Sequence, residues 1–169
     1  MRASEVRAVG WARSLPLTSE VRVARHWARQ HLRSLAWTAD APETVDAVLL
    51  TVSELVTNAH VHAHSSAQLV LTWDTSCLHV SVHDASPRLP QPRPPSEDRL
   101  GGRGMYLVEA LADSWETRRC PHGKTIVACF RPPPEAIEEA GATDEVGAAG
   151  VAGTAGAVRD DAEPGPPGG

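Results

Sequence analysis

Apolar residues recur at helical spacing along Asp46 to His64 (DAVLLTVSELVTNAHVHAH). At about 100° per residue, Val48, Leu49, Val52, Leu55, Val56 and Ala59 share one arc, while Glu54 and Asn58 project together from the opposite side. This predicts a central helix with separate apolar and polar sides. Ahead of it, Val21, Ala24, Trp27, Ala28, Leu32 and Leu35 predict another amphipathic helix, with Thr18 or Ser19 placed to cap it and Glu20 in its first turn. Arg22, Arg25, Arg29 and Arg33 form a row on its other face. Asp40 is placed to cap the central helix, with Pro42 and Glu43 in the first turn.

After His64 the period falls to two. Ala67 to Trp73 and Cys77 to Asp84, joined by Asp74-Thr75-Ser76, predict a hairpin. Leu78, Val80 and Val82 point one way and His79, Ser81 and His83 the other, as in a sheet with one covered face. Arg7 to Leu17 predict a short strand that enters a turn, and Trp115 to Arg119 with Lys124 to Phe130 a second hairpin across Pro121-His122-Gly123. Apolar residues at both parities, Ile126, Ala128 and Phe130 with Val127 and Cys129, predict a last strand buried on both faces. Between the hairpins, Ala85 to Gly104 is rich in Pro, Gly and charge and reads as a lid-like loop. It leads into Met105, Leu107, Val108 and Leu111, the predicted buried face of a third helix.

Composition limits what this pattern can serve. The 169 residues suit one domain with a tail, because from Arg131 onward the chain turns to Pro, Gly, Ala, Glu and Asp without aromatics and is expected to be disordered. A net charge of −5 argues against nonspecific nucleic-acid binding. No stretch reaches the roughly 20 apolar residues of a membrane span, and MRASEVRAVG lacks the apolar centre of a signal peptide, so a cytoplasmic location without membrane contact is expected. Cys77, Cys120 and Cys129 are odd in number without C-x-x-C spacing, which predicts buried free thiols rather than a disulfide or zinc site.

Several polar features have ordinary readings. A Glu and an Asn one turn apart usually form a solvated face, an arginine row likewise, and a strand-end Asp a turn. Of His60, His62 and His64 only the first and last share a helical face, and no acidic or cysteine ligand is near in sequence, which disfavours a metal. Nucleotide chemistry nevertheless unites three sites. The Asn58 carboxamide oxygen suits Mg²⁺, the Glu54 carboxylate could deprotonate a hydroxyl, and Asp84 could accept from an exocyclic amine. Gly101-Gly102-Arg103-Gly104 opening a helix could hold phosphate on backbone N–H groups.

Together these motifs resemble the GHKL ATP-binding domains. SELVTNAHVHA (Ser53 to Ala63) is similar to their N box, DASPRLP (Asp84 to Pro90) to the first glycine box, and GGRGMYLVEALADSW (Gly101 to Trp115) to the second, in the same order. The resemblance runs from about Leu15 to Phe130 and is greatest to the stand-alone anti-sigma-factor serine/threonine kinases. It implies an α/β sandwich with a mixed, mostly antiparallel sheet and helices on one face, in a domain of residues 1–131 followed by a tail of 132–169.

By the resemblance, Glu54 matches the catalytic base, Asn58 the Mg²⁺ ligand and Asp84 the adenine-binding Asp. Gly102, Arg103, Gly104 and Met105 fall on the phosphate-binding turn, Thr125 on the threonine supporting the adenine end, and His62 on the histidine that commonly follows the N box. The usual Asp-x-Gly-x-Gly is here Asp84-Ala85-Ser86-Pro87-Arg88, where Ser86 is small enough to keep part of the close backbone approach. The implied cofactors are ATP and Mg²⁺. The implied partners are a sigma factor or an anti-sigma-factor antagonist, with homodimers common in the family. Two functions follow: a kinase acting on a partner serine or threonine, or a binding module using ATP as a structural or sensing ligand. A histidine kinase needs a dimerisation segment with a phospho-accepting histidine, and gyrase-like or chaperone-like ATPases need transducer domains; neither is expected in this chain.

Overall fold

The computed structural model describes residues 8–89 and 103–138. Five strands form one sheet, β1 (Val9–Leu15), β2 (Ala67–Trp73), β3 (Leu78–Asp84), β4 (Ser114–Cys120) and β5 (Gly123–Phe130), in spatial order β1-β2-β3-β5-β4. All four pairings are antiparallel, so among the described residues the sheet is not mixed as expected. The helices are α1 (Val21–Leu32), α2 (Pro42–Thr57) and α3 (Arg103–Leu111).

The apolar parity of each central strand faces the helices. Leu69 and Leu71 of β2, Leu78, Val80 and Val82 of β3, and Ile126, Ala128 and Phe130 of β5 are all buried against Val48, Val52, Leu55 and Val56 of α2 and Val108 of α3. Burial of this apolar surface is the main force holding the two layers together. The opposite parity, including Ser81, Thr125, Val127 and Cys129, stays half-buried, so β5 is covered on one face only rather than on both. The periodicity of β5 could not reveal this, because its outward face is apolar without a layer to cover it.

Helix starts differ from the capping expected. The Ser19 N–H is used in a turn with the Pro16 carbonyl at 2.8 Å, and extended Glu20 precedes α1. Asp40 belongs to a 3-10 turn at Ala36–Asp40, which leaves Ala41 as the N-cap of α2 and Pro42 in its first turn. At its other end α2 passes into a π turn, Asn58–His62, where the Ala63 N–H donates to the Asn58 carbonyl at 3.0 Å. The predicted helix to His64 is therefore two pieces. Residues 134–138 add a helical turn whose Ala136 is fully buried, so ordered chain extends past Phe130 and past 131; the rest of the tail lies outside the described residues.

Two further local features matter below. In the β2–β3 turn, Asp74 accepts hydrogen bonds from the Ser76 and Cys77 N–H groups, the Ser76 hydroxyl and His79. The His79 contact, then the backbone donors, hold its carboxyl well below the usual carboxylate range. Cys77 and Cys129 are disulfide-bonded with Cα atoms 6.0 Å apart, which corrects the expectation of free thiols. The cause is register: Cys129 pairs with His79, two residues from Cys77. Cys120 is free.

Candidate functional site

The candidate residues form two groups: Glu54 and Gly104 where α2 meets the start of α3, and Asp84 with its partners at the end of β3. Glu54 is half-buried on α2, and desolvation raises its carboxyl pKa above the ordinary value. The first turn of α3 packs onto it: a Cβ at Gly104 would lie 2.7 Å from Glu54 Oε2. The absence of a side chain at Gly104 thus lets the helix start approach the carboxylate. Asn58 stands half-buried at the junction where the helical pitch widens into the π turn, and that turn lies against β3. Such π turns re-aim side chains and are frequent at functional sites.

At the end of β3, Asp84 is 1% exposed and pairs with Lys124, itself 3% exposed. The Lys124 Nζ lies 3.0 Å from Oδ1 and 3.0 Å from Oδ2, and the Ser86 N–H donates to Oδ1 at 2.8 Å. Buried charges require this kind of compensation. The neighbouring Ala85 N–H donates to Ser65 Oγ at 2.9 Å, which ties the strand end to the segment after the π turn. Gly123 has φ of +143°, and a Cβ there would lie 1.9 Å from the Asp84 carbonyl oxygen, so only glycine allows the β4–β5 turn to seat against this strand end.

The chain matches the histidine kinase-like ATPase domain family over residues 16–130, more than half of its length. It belongs to that family. Among solved structures it is similar to the crystal structure of the RsbU and RsbW domains of Rv1364c from Mycobacterium tuberculosis, at 18% identity and a TM-score of 0.51. That similarity covers 73% of this chain and 32% of the other, so it concerns the fold of one part of a longer protein. No curated protein matches the chain. The GHKL resemblance read from the motifs is borne out, and a histidine kinase-like ATPase domain implies ATP binding.

Within this ATPase domain, the expected site residues are not all on one side of the sheet. Glu54 and Gly104 are in contact, and Asp84 and Ser86 share a hydrogen bond. Thr125 lies on the opposite parity of β5 from Lys124, where its hydroxyl meets His83 Nδ1 at 3.1 Å. Met105 is 5% exposed and belongs to the core. His62 is exposed on the π turn, while His60 is held by the Leu15 carbonyl at 3.2 Å. Arg103 opens α3, whereas Gly102 lies outside the described residues, as do residues 90–101 of the predicted lid.

Two residues escaped the sequence reading. In the sequence Gly123 reads only as part of a turn, and Lys124 belongs to no motif although it shares a parity with Ile126, Ala128 and Phe130. A lysine in the core-facing series of a strand is the signal that could have found it, because a buried ammonium needs an acid nearby. As a nucleotide site the residues fit in part. The side-chain-free Gly104 leaves the α3 start open, and Asp84 is a buried acceptor, but Lys124 already holds both of its oxygens.

A second concave surface lies on α1 and its neighbours. Arg13, Arg22, Arg25 and Arg29 line a cleft of about 790 Å³ together with Trp27 and Leu49, and among the described residues Asp46 is the one carboxylate in the lining. Neither Glu54, Asn58 nor Asp84 lines it. Of the arginine row, Arg22, Arg25 and Arg29 line this hollow with exposed side chains, and Arg33 does not.

Proposed function

We propose that this ATPase domain is a regulatory protein kinase of the anti-sigma-factor type, which phosphorylates a serine or threonine on an antagonist protein in a partner-switching system. The observation that carries the reading is the contact between Gly104 and the Glu54 carboxylate. It sets the residue proposed as base against the helix start proposed to hold phosphates. ATP with Mg²⁺ supplies the phosphoryl group when bound. Asn58 would contribute a metal ligand through its amide oxygen, Asp84 the acceptor for the adenine amine, and the turn before α3 its backbone N–H groups. Glu54 would take the proton of the partner's hydroxyl, and its raised proton affinity is in the direction that a base needs. The arginine-lined cleft is the proposed contact for an acidic surface on the sigma factor or the antagonist.

A second reading, a module that binds ATP without transferring phosphate, is supported by the altered first glycine box, Ala85-Ser86-Pro87 after Asp84, and both readings need Asp84 to take the adenine amine. The Lys124 ammonium already satisfies Asp84, so the adenine amine must share that carboxylate. Incubation with labelled ATP and a candidate antagonist separates the two. The kinase reading expects phosphate on a partner serine or threonine with wild type, none with Glu54→Gln, and loss of ATP binding with Asn58→Ala. Partner control that survives Glu54→Gln selects the binding module, and unchanged ATP affinity in Asn58→Ala removes the site assignment altogether.

A further inference from the structure

The sheet face that the helices leave bare carries a second cluster of chemically capable side chains. Cys77, His79 and Cys129 each offer a ligand atom there, and these atoms all lie within 4.8 Å of one another. Cys77 is buried, while His79 and Cys129 are half-buried, so the cluster has a protein wall and an open side. Cross-strand pairing of β3 with β5 sets it: His79 sits directly opposite Cys129, and Cys77 shares the parity of His79. Neither Glu54, Asn58 nor Asp84 belongs to it.

We propose that Cys77, His79 and Cys129 form a binding site for a thiophilic divalent cation, Zn²⁺ in particular, whenever the Cys77–Cys129 pair is in its dithiol state. Two thiolates and an imidazole are the donor set of known three-ligand zinc sites, in which water takes the fourth position. The half-exposed side of the cluster leaves room for that water. The hydrogen bond of 3.0 Å between His79 Nε2 and Asp74 Oδ2 supplies the outer support such a site needs. With the Nε2–H donating to the carboxylate, Nδ1 carries the free lone pair, the usual arrangement of a carboxylate–histidine–metal unit.

Metal and disulfide exclude each other at this site. In a reducing compartment the pair exists as thiols, and binding releases one proton from each as the two metal–sulfur bonds form. Hydrogen peroxide would reverse this: each thiolate gives up one electron, the sulfurs join, the peroxide is reduced to two waters with uptake of two protons, and the cation leaves. The bonded pair in the structure is the metal-free form of the same site.

The test uses the full chain, reduced with a phosphine that is then removed, and titrated with Co²⁺ as a coloured substitute for Zn²⁺. The expected result is one Co²⁺ per chain with a thiolate-to-cobalt charge-transfer band, bleached by Zn²⁺ and absent after peroxide treatment. Cys129→Ser abolishes the band, Cys120→Ser keeps it, and Asp74→Asn weakens affinity about tenfold. Reduced wild type that gives no thiolate–cobalt band overturns the proposal, as does a band that survives Cys129→Ser or vanishes in Cys120→Ser. The wild-type titration decides even if a variant fails to fold.

Discussion

Two aspartates bracket strand β3 and are satisfied in opposite ways. Asp74, before the strand, keeps 35% of its side chain exposed and takes its donors from residues within five positions. Asp84, at the strand's end, is 1% exposed, and beyond the N–H of Ser86 it relies on Lys124, 40 residues away. A partly solvated carboxylate can be stabilised by local turn geometry, whereas a buried one needs a cation brought in by the fold. The far end of β3 is thus where tertiary structure commits to holding a charge, and it is the end where the adenine contact of the ATP site is proposed.

That contrast can be broken most sharply at Lys124. Lys124→Met leaves the Asp84 charge buried without its ammonium and should destabilise the fold by about 3–5 kcal/mol in denaturant unfolding. Pairing it with Asp84→Asn should recover a large part of the loss, and failure to recover would show that Lys124 acts through packing alone. At the exposed end, Asp74→Ala should cost only about 1 kcal/mol in the same assay, since its partners regain water. A loss there as large as at Lys124 would erase the distinction.

Smaller effects are expected beside the strand end. Gly104→Ala gains up to about 1 kcal/mol of helix propensity but makes the Glu54 carboxylate move, since the new Cβ would sit 2.7 Å from Oε2. Melting should therefore change little while phosphate transfer, if the kinase reading holds, falls. The smallest effect concerns Glu54 itself. Its folded pKa is raised above the unfolded value of about 4.3 by burial, so its favourable contribution is present below that value and is lost as pH rises through the folded pKa. Glu54→Gln should then be slightly more stable than wild type at neutral pH, with the difference vanishing below about pH 4; equal stability across that range would contradict the desolvation of Glu54.

Much of the fold was legible along the chain. The β2–β3 and β4–β5 hairpins, α1, α2 and α3 appear where periods of two and 3.6 place them, within a few residues. The caps were less legible, because Ser19 and Asp40 are drawn into neighbouring turns. The π turn at Asn58–His62 was not legible, since its apolar pattern is that of an ordinary helix. Of the proposed site, the sequence motifs suggest Glu54, Asn58 and Asp84, but nothing near Asp84 in sequence points to Lys124.

By itself the sequence determined most of the elements and, β5 apart, their buried sides, because periodicity is a property of neighbours along the chain. It also carried the motifs that place the chain among the histidine kinase-like ATPase domains. Only the tertiary structure decided the partnerships: Lys124 with Asp84 across 40 residues, Cys77 with Cys129 across 52, and Gly104 against the Glu54 carboxylate. The reason is physical. A contact between strands or helices depends on register and packing direction, and neither leaves a local mark in the residues that eventually touch.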